Sequence, residues 1–229
     1  MPLIMYFSFT IVSMVTDLSS QNSVLCEWVR DLRDSERQTD RMRFRRNLER
    51  MGEIAAYEIS KHLVYHEITV QTPMGEATCL QLSAQPVLAT ILRAGIPLHQ
   101  GLLNYFDKAD NAFIAAYRKH HRDGTFEIAQ HYMTSPEIDG RPLIMADSML
   151  ATGASLVQAL QALSEVGKPS QIHIVSAIAC TVGIEYVQRK FPDVYVWAGA
   201  IDDELTAKSY IVPGLGDAGD LAYGTKTQA

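Results

Sequence analysis

A chain of 229 residues, 47% of them hydrophobic, can bury one substantial core, because the share of surface removed from water rises with length. Its formal charge of −6 denies it the basic footprint of a nucleic-acid binder. Three distant cysteines, Cys26, Cys79 and Cys180, are odd in number and lack metal-ligand spacing, so they read as free thiols of a reducing compartment rather than a disulfide framework.

The first residues, MPLIMYFSFTIVSMV, are apolar, but the run is too short to span a bilayer and no Lys or Arg precedes it. Residues 1–20 are therefore expected to be a disordered or over-annotated leader, with Met5 and Met14 as later starts, and 21–229 a single domain. From Arg41, the residues Phe44, Leu48, Met51, Ala55 and Ile59 recur every three or four positions and predict an amphipathic helix ending near His62. Arg41, Arg43, Arg45 and Arg46 spread around that helix as a solvated face or an anion or subunit contact. Val64 to Val70 and Ala77 to Leu82, joined by Pro73-Met74-Gly75, predict a hairpin.

Short apolar runs then follow at Val87–Leu92, Phe113–Tyr117, Leu143–Ala146, Ile172–Ala179 and Val194–Ala200, each suited to a strand buried on both faces. Helical patterns at Pro97–Phe106, Ser155–Val166 and Val182–Lys190 separate them, so the class is α/β with an open, mainly parallel sheet. Tyr117 to Met133 interrupts the alternation as a projecting hairpin turning at Asp123-Gly124. His120, His121 and His131 belong to this hairpin, without the helical register of a metal site.

Three segments carry chemistry. In LIMADSMLATGAS, Leu143 to Ser155, a buried strand leads through Asp147, Ser148, Met149, Leu150 and Ala151 to Thr152, Gly153, Ala154 and Ser155 at the start of a helix. Free amides and the dipole at a helix start favour a phosphate, while a carboxylate beside it suits sugar hydroxyls or a water-bound magnesium ion. The segment lacks the Lys of a nucleoside-triphosphate loop and the dinucleotide fingerprint, and alone it is equally compatible with a plain helix cap. Arg93, in ILRAG, and Arg118 each follow a buried strand and offer the fixed donor fork that matches phosphate oxygens. SYIVPGLGDAGDLAYGTK, Ser209 to Lys226, is rich in glycine and predicts an ordered loop rather than a regular helix, with backbone groups able to read a flat base edge.

Taken together, the motifs resemble those of type I phosphoribosyltransferases, and MLATG and YIVPGLGDAGD resemble the uracil phosphoribosyltransferases in particular. The resemblance spans about Arg41 to Lys226. It implies a cytoplasmic enzyme that joins uracil to 5-phosphoribosyl 1-diphosphate, giving UMP and diphosphate, with Mg2+ carried mainly on the diphosphate and no direct metal ligand from the protein. By the same resemblance Arg93, Arg118 and Asp217 are the catalytic set, and the run from Asp147 to Ser155 binds the phosphoribosyl group. Tyr210, Ile211, Gly216, Asp217 and Ala218 meet uracil, Arg93, Arg118 and Asp217 also meet the sugar diphosphate, and the enzyme is a homodimer or higher homo-oligomer acting without membrane or nucleic acid. Other readings are an RNA-binding pyrimidine regulator on the same scaffold, or a transferase for another base. Two departures stand out: Ser148 where the family has Pro, and Ala154 where it has Gly, the latter a concern for phosphate approach if that position needs positive φ.

Overall fold

The computed structural model of the chain describes residues 14–120 and 126–226 and, across 116–131, the backbone pairing alone. The elements in chain order are β1 (Val15–Asp17), α1 (Val24–Arg33), α2 (Arg41–Ser60), β2 (Tyr65–Thr72), β3 (Gly75–Leu82), β4 (Val87–Leu92), α3 (Ile96–Tyr105), β5 (Asp110–His120) and β6 (Phe126–Thr134). They continue with β7 (Pro142–Ala146), β8 (Met149–Leu150), α4 (Ala154–Val166), β9 (Gln171–Cys180), α5 (Thr181–Lys190), β10 (Tyr195–Asp202), β11 (Glu204–Leu205), β12 (Ile211–Val212) and α6 (Ala218–Tyr223).

The main sheet runs β1-β10-β9-β7-β4-β5-β6, with β8 pairing β9. Every pairing in it is parallel except β5 with β6. Alternate residues of its strands face opposite ways, as strand geometry requires. Leu88, Ile144, Val175 and Trp197 pack into one core with α1, α2, α3 and α6. Val87, Ala89, Met145 and Ile174 pack into a second with α4 and α5. Helices on both faces explain why these strands read as unbroken apolar runs.

The chain goes from β4 outward to β5 and then returns to place β7 on the other side of β4, followed by β9 and β10. The strand order therefore reverses between β4 and β7, and the carboxyl ends of those two strands border the crevice where ligands collect in open α/β sheets. Arg93 and Asp147 are the residues that follow them.

The span set aside as leader includes β1, whose three residues extend the sheet by pairing with Val196, Trp197 and Ala198. The sheet therefore begins at Val15, and residues 1–13 lie outside the described residues. Helix α1 was not foreseen. The β2–β3 pair forms a separate two-stranded sheet with most of its side chains exposed.

At the amino end of the sheet, the buried His173 stacks on Tyr195 with ring centres 4.9 Å apart. The Trp197 indole N–H donates to its Nδ1 at 3.2 Å. That bond leaves the proton on Nε2, 3.2 Å from Gln171 Oε1, so the neutral ring satisfies both nitrogens. Burial, with a smaller contribution from the nearby His62, pushes the His173 pKa down to about 4.

Candidate active site

The loop after β7 is pinned to β9 from several directions. The Asp147 amide donates to Val175 O at 3.0 Å, and the amides of Ala177 and Ile178 donate to Ser148 O at 3.1 and 3.2 Å. Ser176 Oγ donates to Asp147 O at 2.6 Å. Short strand β8 then carries the chain to Gly153, which stands at the amino cap of α4 with φ +78. A side chain there would be strained by its backbone and crowded as well, since a Cβ would lie 2.8 Å from Gly183 O and 2.9 Å from Val187 Cγ2. Ala154 opens the helix in ordinary helical conformation. The left-handed turn belongs to Gly153 alone, so the methyl of Ala154 does not carry the φ strain considered from sequence.

The hydroxyl of Thr152 accepts a long bond from the Ala154 amide, 3.4 Å, an easy one to exchange for a phosphate oxygen. Ser148 is fully buried, and its Oγ has no hydrogen-bond partner among the described residues. On its neighbour across β7, a close turn is forced where β4 ends. A Cβ at Gly95 would lie 2.8 Å from both Ala146 O and Ile91 O, and Thr90 Oγ1 donates to Ala146 O at 3.1 Å. The Arg93 loop and the Asp147 loop are thereby drawn together. The Leu92–Arg93 peptide is cis.

Arg93 reaches the C-terminal loop. Its Nη2 lies 3.3 Å from Asp220 Oδ1, and both of its terminal nitrogens are 3.5 Å from Gly224 O. These bonds are long and the side chain is 41% exposed, so the guanidinium is open to a better anionic partner. Asp217 caps α6 by accepting the Asp220 amide at 3.0 Å, and its Oδ2 takes the Lys226 ammonium at 2.8 Å. Burial opposes the charged carboxylate, but Lys226 and the amides of Asp220 and Gly219 outweigh it and hold Asp217 below the usual carboxylate range. Asp217 and Arg93 flank Gly219: a Cβ there would lie 3.2 Å from Asp217 Oδ1 and 3.7 Å from Arg93 Nη2.

The expected base-reading residues sit on the same edge, beyond β10. Ile211 is buried in the α1–α2–α3–α6 core with Leu215 and Ala218, so Ile211 turns its side chain inward and leaves backbone for a ligand. Gly216, at φ +94, faces open space, and Tyr210 is exposed. Contrary to expectation, this glycine-rich stretch does contain a helix, the six-residue α6, because Asp217 supplies an amino cap and Leu221 and Ala222 pack inward.

What holds the base loop in place was missed from sequence. Arg33, at the end of α1, grips Asp202 with two bonds of 2.8 Å and donates to Gly214 O at 3.0 Å. Asp202 Oδ2 also accepts the Gly214 amide at 2.9 Å. A separation of 169 residues hides that clasp from any local pattern. Arg43, Arg45 and Arg46 of α2 are likewise engaged within the chain. Arg43 joins Arg30 and Arg37 on the buried Asp31, holding its carboxyl down to about 2 through its hydrogen bonds to Arg43 and then Arg30. Arg45 donates to Ala222 O, and Arg46 pairs with Glu49. The side chain of Arg118, the Asp123-Gly124 turn and the side chains of His120, His121 and His131 lie outside the described residues.

An open, mainly parallel sheet whose reversal point gathers a helix-capping loop, an exposed arginine and a glycine-rich loop defines an α/β protein with its ligand crevice at the carboxyl ends of the strands. Residues 19–225 match the family model described as uracil phosphoribosyltransferase. The chain is 50% identical over 213 residues to the uracil phosphoribosyltransferase of Porphyromonas gingivalis, covering 93% of this chain and 99% of that one. It is 38% identical over 192 residues to the enzyme of the same name from Pyrobaculum islandicum, covering 82% and 90%. A solved structure of an Aquifex aeolicus protein superposes with a TM-score of 0.83 at 29% identity, over 93% of this chain and all of that one. The chain belongs to the uracil phosphoribosyltransferase family.

Proposed function

We propose that the chain transfers the 5-phosphoribosyl group of 5-phospho-α-D-ribose 1-diphosphate to uracil, giving UMP and diphosphate. The observation that carries this reading is the meeting of Arg93 and Asp217 around Gly219, beside the strand-order reversal, in a chain half identical to an enzyme of that name. Uracil is a weak nucleophile and C1 of the sugar must gain oxocarbenium character, so the rate comes from positioning and charge rather than a covalent intermediate. N1 of uracil bonds to C1 as the C1–O bond breaks, the electron pair leaves with diphosphate, and the N1 proton is lost. Arg93 and Arg118 receive the diphosphate oxygens. The amides opening α4, with Thr152 and Ser155, take the 5-phosphate, and Asp147 accepts from the ribose hydroxyls. Tyr210, Ile211, Gly216 and Ala218 position the base, with Asp217 between base and sugar diphosphate.

Among the described residues no group of three or more His, Cys, Asp and Glu could hold a metal ion. The carboxylates of Asp217 and Asp220 are already shared with cations, a donor set that fits magnesium carried on the diphosphate. Bound there, magnesium would neutralise charge on the leaving group. A homodimer is part of the reading, supported by the standing-off β2–β3 sheet with Met74 and Leu80 exposed. Three free thiols support the cytoplasm; no described helix is long and apolar enough to cross a membrane. The RNA-regulator alternative is disfavoured because Arg43, Arg45 and Arg46 are committed to partners within the chain.

Purified protein is expected to form UMP from uracil only with the sugar diphosphate and magnesium, and to prefer uracil over cytosine and hypoxanthine in competition. Absence of UMP would overturn the proposal, and a preference for another base would reassign the loop at 210–218.

A further inference from the structure

Lys226 has no part in the roles above, yet its ammonium stands within the site. Nζ lies 2.8 Å from Asp217 Oδ2 and 3.6 Å from Asp220 Oδ1, and Asp220 Oδ1 is 3.3 Å from Arg93 Nη2. Four charges, two of each sign, thus run in a chain that sums to zero beside the arginine that awaits an anion. The lysine is delivered to this place by more than its own ion pairs. Its backbone amide donates to Asp220 Oδ1 at 3.4 Å, and the Gly224 amide donates to Asp220 O at 2.8 Å. Arg45 donates to Ala222 O at 2.6 Å and lies 5.8 Å from the centre of the Tyr223 ring, tying the segment to α2.

Without Lys226, the directly paired set would be Asp217, Asp220 and Arg93, with a net charge of −1 facing a polyanion. With it, the two carboxylates are offset, and a flexible four-carbon stem, 41% exposed, can turn its ammonium from carboxylate to phosphate oxygen. On the reading of the site given above, we propose that Lys226 is a further diphosphate-site residue, which neutralises Asp217 and Asp220 in the free enzyme and contacts the diphosphate in the complex. It acts on sugar-diphosphate affinity and not on the base. The upward shift of its own pKa, in which burial is outweighed by Asp217 and Asp220, agrees with a cation kept charged for this purpose.

The test compares Lys226→Met and Lys226→Arg in the full chain, by steady-state kinetics and by calorimetric binding of magnesium diphosphate. Removing a charged hydrogen-bonding partner of this kind costs about an order of magnitude in affinity. Lys226→Met should raise KM for the sugar diphosphate and weaken magnesium diphosphate by that factor, with KM for uracil unchanged. Lys226→Arg should restore most of the loss, and Asp220→Asn added to Lys226→Met should recover part of it. Unchanged or tighter magnesium diphosphate binding in a Lys226→Met protein that melts like the wild type overturns the inference. Since calorimetry needs no turnover, a wild type that binds diphosphate but makes no UMP would sink the assigned reaction while leaving the lysine to be judged on binding.

Discussion

Substituting Gly153 by Ala should damage the protein in two ways that the neighbouring position does not share. The residue sits at φ +78, where an L side chain costs about 1–2 kcal/mol. Its new Cβ would also lie 2.8 Å from Gly183 O and 2.9 Å from Val187 Cγ2. The first of these is backbone that cannot rotate away, so either the loop or α5 must shift, at a cost of roughly 1–2 kcal/mol more. A sum of about 2–4 kcal/mol corresponds to a melting temperature lower by roughly 5–15 °C in a chain of this length. Because the displaced turn opens α4, KM for the sugar diphosphate should rise in the surviving folded protein. Ala154→Gly is the control: Ala154 is already helical, so the change gives up at most about 1 kcal/mol of helix preference and brings no gain in phosphosugar affinity. Differential scanning calorimetry and initial-rate kinetics on the two variants decide the matter. A neutral Gly153→Ala, or an Ala154→Gly that tightens the sugar diphosphate, would refute the assignment of the left-handed turn to Gly153.

Three further outcomes are expected. Arg33→Ala strands the carboxylate of Asp202, which is 8% exposed, and loosens Gly214. Unfolding by urea should show a loss of about 2–3 kcal/mol, and KM for uracil should rise more than KM for the sugar diphosphate; equal effects on both substrates would contradict the clasp. Arg93→Ala should lower kcat/KM by at least about a hundredfold, as expected for removal of a charge-stabilising donor, without altering the melting temperature much, since its present bonds are 3.3–3.5 Å long. His173, with a folded pKa of about 4 against an ordinary value of 6.5, is neutral in both states above pH 6.5, where its contribution is complete. As pH falls from 6.5 toward 4 the unfolded chain takes up the proton first, so stability drops by up to about 3 kcal/mol. Urea melts between pH 7.5 and 4.5 should show that slope, and His173→Gln should flatten it; an unchanged slope would point to other groups.

The central βα alternation was legible because buried parallel strands need uninterrupted apolar residues, and the five runs from Val87 to Ala200 each became a strand. The loops that the strand-order reversal brings together were legible for a related reason: glycines, hydroxyls and isolated charges appear abruptly where those runs stop. What escaped notice was short or distant. Strand β1 has three residues, too few for any alternation to register. Helix α1 did carry a stripe, Leu25, Val29 and Leu32, which the neighbouring apolar leader overshadowed. Asp217 with Asp220 three residues on was a readable capping signal for α6, hidden among glycines that suggested only loop. Nothing near Arg33 announces a partner in Asp202, 169 residues away; a contact of that kind exists only once the sheet has gathered its carboxyl ends.

The clasp between Arg33 and Asp202 gives the molecule a division of labour. On the proposed reading, the groups that would grip the phosphates hang from β4 and β7 at the middle of the sheet, whereas the proposed base-reading loop leaves β10 toward the rim and is moored there by α1. On that reading, exchanging residues 203–216 together with their mooring should change nucleobase preference and leave the proposed phosphate loops in register. That separation makes this rim the natural place to graft the recognition loop of a relative when a pyrimidine analogue, rather than uracil, is the desired acceptor.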